Sequence, residues 1–74
     1  RFDAVFEADG RYEVVDWKTG TARGIDATQL AIYRLAWSQL RGVPLDVIDA
    51  AFVIIATGEV VRPDTSAALA LLLG

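Results

Sequence analysis

The feature that most limits how this chain can fold is a two-residue bend, Asp9-Gly10, set between two strand-like runs. Asp-Gly favours a type I′ turn, because both residues tolerate the positive φ that the turn demands and its twist matches that of the flanking strands. Phe2 to Glu7 reads as the first strand; Arg11 to Lys18, rich in Tyr, Val and Trp, reads as the return. A bend of this length also sets register. Ala8 then faces Arg11, Glu7 faces Tyr12, Val5 faces Val14 and, carried outward, Asp3 faces Asp16. Side chains alternate across a strand, so Asp16 and Lys18 share one face and the pairing puts Asp3 on it too. Directly opposed residues have Cβ atoms roughly 5 Å apart, and residues two apart on one strand are roughly 7 Å apart.

Beyond the hairpin, Thr19 to Gly24 is small, polar and glycine-containing, and reads as a loop. Asp26 or Thr28 can cap a helix from about Ala27 to Arg41, which Gly42 and Pro44 end. Ala50 to Ala56 is a near-continuous apolar run, the pattern of a buried strand. Thr57-Gly58 turns the chain, Val60-Val61 extends the strand region, and Thr65 to Leu73 reads as a short helix. A strand reached from Arg11–Lys18 through a helix is a crossover, so those two strands are expected to be parallel. The expected fold is α/β with a mixed sheet: antiparallel hairpin, crossover helix, parallel strand, terminal helix.

At 74 residues the chain is about half a typical domain, and a core that small is marginal. With 54% apolar residues and Arg1 leading straight into a strand, residues 1–74 are expected to be a single partial domain of a longer protein, with apolar surface covered by something else. The absence of cysteine excludes a disulfide framework and thiolate metal sites, and agrees with a cytoplasmic location. No leader and no apolar run long enough to span a bilayer is present, so no membrane partner is expected. A net charge of −3 opposes passive binding to a nucleic-acid backbone, unless some acids are metal ligands or the DNA-holding surface lies elsewhere.

Two carboxylates held face to face repel, and a divalent cation between them removes the conflict. All-oxygen ligands suit Mg²⁺ or Mn²⁺. A lysine one step along then stands beside a bound phosphate or an attacking water, which completes the parts for metal-assisted phosphodiester hydrolysis. For an isolated Asp-x-Lys the ordinary reading is a solvated face with an ion pair. Here Val14-Val15 precede Asp16 and Trp17 separates it from Lys18, so the charges lie at the end of a buried strand, a costly place unless they are paired or used. Blander readings suit other residues: Arg23 as a solvated loop cation, Arg34 and Arg41 as helix residues reaching to water, Glu59 as a turn residue, and Trp37 as core.

The stretches Arg1-Phe2-Asp3-Ala4-Val5, Val14-Val15-Asp16-Trp17-Lys18-Thr19-Gly20 and Gln29-Leu30-Ala31-Ile32-Tyr33 together resemble the RecB-type nuclease module of the PD-(D/E)XK superfamily, as found at the C-terminus of UvrD-like bacterial helicase–nucleases of the AddAB or AdnAB kind. They stand in the family's order and cover about half the chain. The resemblance implies a restriction-endonuclease-like core. It implies Asp3 and Asp16 as metal ligands with the main-chain carbonyl of Trp17, Lys18 as the catalytic group that orients or activates the water and stabilises the developing negative charge, and Gln29 and Tyr33 bordering the site, shaping it or touching DNA. It implies Mg²⁺ or Mn²⁺ as cofactor and DNA as substrate, with ATP used only by a helicase motor outside this segment and a second helicase–nuclease subunit as a further partner. The family's upstream helix with a His or Glu ligand would precede Arg1. Two other readings remain: a non-catalytic nuclease-like module that binds DNA or scaffolds a partner, and a small structural domain with no site.

Overall fold

The bend forms where the sequence puts it. In the computed structural model, which describes residues 2–20 and 26–74, Asp9 and Gly10 take φ of 54° and 78°, the two left-handed residues of a type I′ turn. Strands β1 (Ala4–Ala8) and β2 (Arg11–Lys18) leave it antiparallel, with Ala8 opposite Arg11, Glu7 opposite Tyr12 and Val5 opposite Val14. The first strand starts two residues later than expected. Asp3 bends out of the ladder: its N–H donates to Val15 O at 2.9 Å, and its carboxylate, not its backbone, receives the Trp17 N–H.

Helix α1 (Ala27–Arg41) keeps its expected bounds for the expected reasons. The Asp26 carboxylate accepts from Thr28 N at 2.9 Å, and Gly42, at φ 66°, sends its N–H back to Ser38 O. A single 3-10 turn, Leu45–Val47, leads into β3 (Ile48–Ile54). This strand runs parallel to β2 and sets Asp16 beside Phe52 and Lys18 beside Ile54. It ends before the expected Ala56 because Thr57 and Gly58 both donate to Ile54 O and fold the chain over. The next three residues form β4 (Glu59–Val61), antiparallel to β3, so Glu59 begins a strand and is not a turn residue. The sheet order is β1-β2-β3-β4, the mixed α/β sheet expected. Helix α2 (Ser66–Leu73) packs chiefly on α1.

The core lies between α1 and one sheet face, where Leu30 and Tyr33 meet Tyr12, Val14, Ile48, Ala50 and Phe52. Trp37 belongs to this packing, as expected: Phe2 sets its ring edge-on to both Tyr33 and Trp37, at 5.7 Å in each case. Arg41 lies over the Trp37 ring. Arg34 departs from its reading as a solvated cation. Its guanidinium donates to Ile48 O, Leu45 O and Thr65 Oγ1 at 2.6, 2.7 and 2.8 Å, and so joins the 3-10 turn, the start of β3 and the lead into α2. The other sheet face carries Phe6, Trp17 and Val60, all exposed.

Candidate active site

Alternation along β2 turns Val14, Asp16 and Lys18 toward α1. Phe52, on the neighbouring strand, stands directly beside Asp16, and Asp16 is left only 6% exposed. Lys18 Nζ lies 3.2 Å from Asp16 Oδ2, near enough for an ion pair. No hydrogen bond reaches this buried carboxylate oxygen among the described residues, so the Lys18 charge is its partner. Lys18 Nζ instead donates to Gln29 Oε1 at 3.3 Å, and Gln29 Nε2 donates to the Tyr33 hydroxyl at 2.9 Å. Gln29 and Tyr33 are one helical turn apart, so α1 lays a polar strip across the end of β2. Both ends of the Gln29 amide are engaged within the protein, which fits a residue that shapes the site.

Asp3 lies beyond the β1–β2 ladder, whose last pair is Ala4 with Val15, so the expected pairing of Asp3 with Asp16 does not form. It is exposed, and its Oδ2 accepts the Trp17 N–H at 2.9 Å. In a strand the N–H and C=O of one residue point to the same edge. The Trp17 carbonyl therefore points toward the edge where Asp3 lies, while Lys18 O points the other way, to Ile55 N. Tyr33 registers all of these groups. Its phenol is pushed above the ordinary tyrosine value first by burial and then by the Asp16 charge, with a further rise from Asp3; the Gln29 hydrogen bond and the Lys18 charge oppose the shift.

The structure thus brings Asp16, Lys18, Gln29 and Tyr33 into one connected strip and ties Asp3 to it through the Trp17 amide. No third Asp, Glu, His or Cys joins them among the described residues. Arg23 lies outside the described residues. A cleft of about 500 Å³ lies elsewhere, at the hairpin end, where Arg11 and Arg62 are already paired with Asp49 and Glu13. The residue that the sequence did not single out is Phe52. Its apolar run marked a buried strand, but only the parallel register puts its ring against Lys18, 5.0 Å from Nζ to the centroid.

Carboxylates and main-chain carbonyls are oxygen donors. Hard divalent ions are bound in this way, and Mg²⁺ commonly takes one or two carboxylates and fills its remaining positions with water and substrate phosphate. Asp16 Oδ2, buried beside Lys18 and accepting no hydrogen bond among the described residues, is a donor of this kind. A family model described as the PD-(D/E)XK nuclease superfamily matches residues 1–71. The chain belongs to the PD-(D/E)XK nuclease superfamily. Members of this superfamily are typically nucleases and commonly use Mg²⁺ or Mn²⁺, so DNA is the implied class of substrate. Asp16-Trp17-Lys18 supplies the acid-x-lysine of the superfamily's name, whereas Phe2 stands before Asp3 in place of its proline. The four-stranded mixed sheet with two helices is consistent with a restriction-endonuclease-like core. No curated protein and no solved structure matches the chain. Among the described residues no helix is long and apolar enough to cross a membrane.

Proposed function

We propose that residues 1–74 are the partial catalytic domain of a metal-dependent DNA nuclease that hydrolyses phosphodiester bonds. Asp3, Asp16 and the Trp17 carbonyl would hold Mg²⁺ or Mn²⁺. When bound, the ion supplies Lewis acidity and a local positive charge at the scissile phosphate. Lys18 offsets the negative charge that gathers on the phosphate oxygens; its side chain is 36% exposed and so remains open to a substrate. Gln29 holds that ammonium, and Tyr33 holds Gln29. The single observation that carries this reading is the buried Asp16 carboxylate set beside the Lys18 ammonium on one face of β2, with Nζ 3.2 Å from Oδ2. Burying a carboxylate is costly unless it is paired; Lys18 supplies one partner at 3.2 Å, and a divalent ion would supply another.

The wider setting we infer from the three matching stretches of sequence is a cytoplasmic DNA-repair helicase–nuclease of the RecB or AddAB type. The nuclease would act as an exonuclease on DNA fed by an ATP-driven motor in the same chain or complex. The full-length protein should degrade DNA in Mg²⁺ or Mn²⁺. Asp16→Ala and Lys18→Ala should each lower the cleavage rate by at least about 100-fold and leave ATP hydrolysis intact. Cleavage that survives either change would remove the assigned roles.

A further inference from the structure

We propose that Phe52 is a positioning residue of this site: its buried ring face holds the Lys18 ammonium in the pocket between Asp16 and Gln29. The inference rests on the catalytic reading of Lys18 given above. A lysine is a point charge on a flexible four-carbon stem, so a reactive direction must be imposed on it. Here three groups impose it. Nζ lies 3.2 Å from Asp16 Oδ2, 3.3 Å from Gln29 Oε1 and 5.0 Å from the centroid of the Phe52 ring, over whose face it sits. The first two draw the ammonium along the site. The ring closes it from beneath, within the roughly 6 Å over which a cation is attracted to an aromatic face.

Phe52 is well placed for this and for little else that a substrate would need. It is fully buried, so no base can stack on it. It sits mid-strand in β3, held between Asp16 on β2 and Val61 on β4, so its ring is fixed by ladders on both sides. The ring is buried but the Lys18 side chain is 36% exposed, so the attraction falls in the weaker part of the usual range. A leucine would fill much of the same core volume and offer no π face.

The test replaces Phe52 in the full chain by 4-fluoro-, 3,5-difluoro- and 3,4,5-trifluorophenylalanine, which keep the shape while draining the ring face of negative potential. With Mg²⁺ and DNA, kcat should fall stepwise along the series, by about 2- to 5-fold at the last member, with KM for DNA unchanged. Independently of any turnover, the Lys18 ε-methylene protons should show an upfield ring-current shift in NMR spectra that Phe52→Leu abolishes. A purely structural Phe52 gives a flat kcat series, and that result overturns the proposal, as does an unshifted Lys18 signal in the unmodified chain. If the unmodified chain does not cleave, or Lys18→Ala cleaves normally, the nuclease reading fails instead, and the NMR shift alone then decides whether Phe52 positions Lys18.

Discussion

Replacing Arg34 by Met should destabilise the protein by about 2–4 kcal/mol, although Arg34 touches neither acid of the candidate site. The guanidinium makes three hydrogen bonds, to Ile48 O, Leu45 O and Thr65 Oγ1, at 2.6, 2.7 and 2.8 Å. A hydrogen bond contributes about 1 kcal/mol net, and about 1.5–3 kcal/mol when one partner is charged. Arg34 is only half-buried, so water can reach part of what is vacated, and each bond contributes close to the neutral value of about 1 kcal/mol. Methionine keeps the aliphatic stem, which confines the loss to the polar contacts. A chain of this length has about 4–11 kcal/mol in total, so one surface-facing arginine carries a large share. Urea unfolding should show a lower midpoint with an unchanged slope. A double-mutant cycle with Thr65→Val isolates one bond and should give a coupling of about 0.5–1.5 kcal/mol. A loss below about 0.5 kcal/mol for Arg34→Met, or zero coupling to Thr65, would refute the bridging role.

Asp26→Ala removes the acceptor that caps α1 and should cost about 0.5–2 kcal/mol in the same unfolding experiment; an unchanged midpoint would count against the cap. Trp37 Nε1 is buried with no hydrogen-bond acceptor among the described residues. Trp37→Phe relieves that donor while giving up ring area, and should therefore change stability by no more than about 1 kcal/mol; a loss near the 3–5 kcal/mol typical of truncating a large core side chain would be wrong for this geometry. The raised Tyr33 pKa, caused first by burial and then by Asp16, makes its contribution to stability fully present below the unfolded value of about 10. That contribution is lost as pH rises from there through the folded value. Ultraviolet titration in metal-free buffer should show a late phenolate step that Tyr33→Phe deletes, and ionisation of Tyr33 at or below pH of about 10 would contradict the shift.

The hairpin was legible because Asp9-Gly10 settles two matters at once: the turn type through positive φ, and every cross-strand pair through loop length. The bounds of α1 were legible because Asp26 and Gly42 are chemical stops. The end of β3 was not. An apolar run from Ala50 to Ala56 has no alternation to mark where pairing ceases, and two amides folding onto Ile54 O decide it. Arg34 was read as solvated because nothing nearby in sequence announces that the carbonyls of Leu45 and Ile48 converge on it. For the site, local register brought Asp16 and Lys18 to one face, and a four-residue step placed Gln29 with Tyr33. The bend at Asp3, which trades a backbone ladder bond for a carboxylate–amide bond to Trp17, and the ring of Phe52 under Lys18 depend on tertiary register that no local pattern encodes.

Whether Asp3 and Asp16 share one divalent ion is read most directly by Mn²⁺ titration of the full chain, followed by electron paramagnetic resonance. The unmodified chain should take up Mn²⁺ at a site from which Mg²⁺ displaces it, and Asp3→Asn and Asp16→Asn should each abolish that uptake. Binding that persists undiminished in both variants would contradict the site built here.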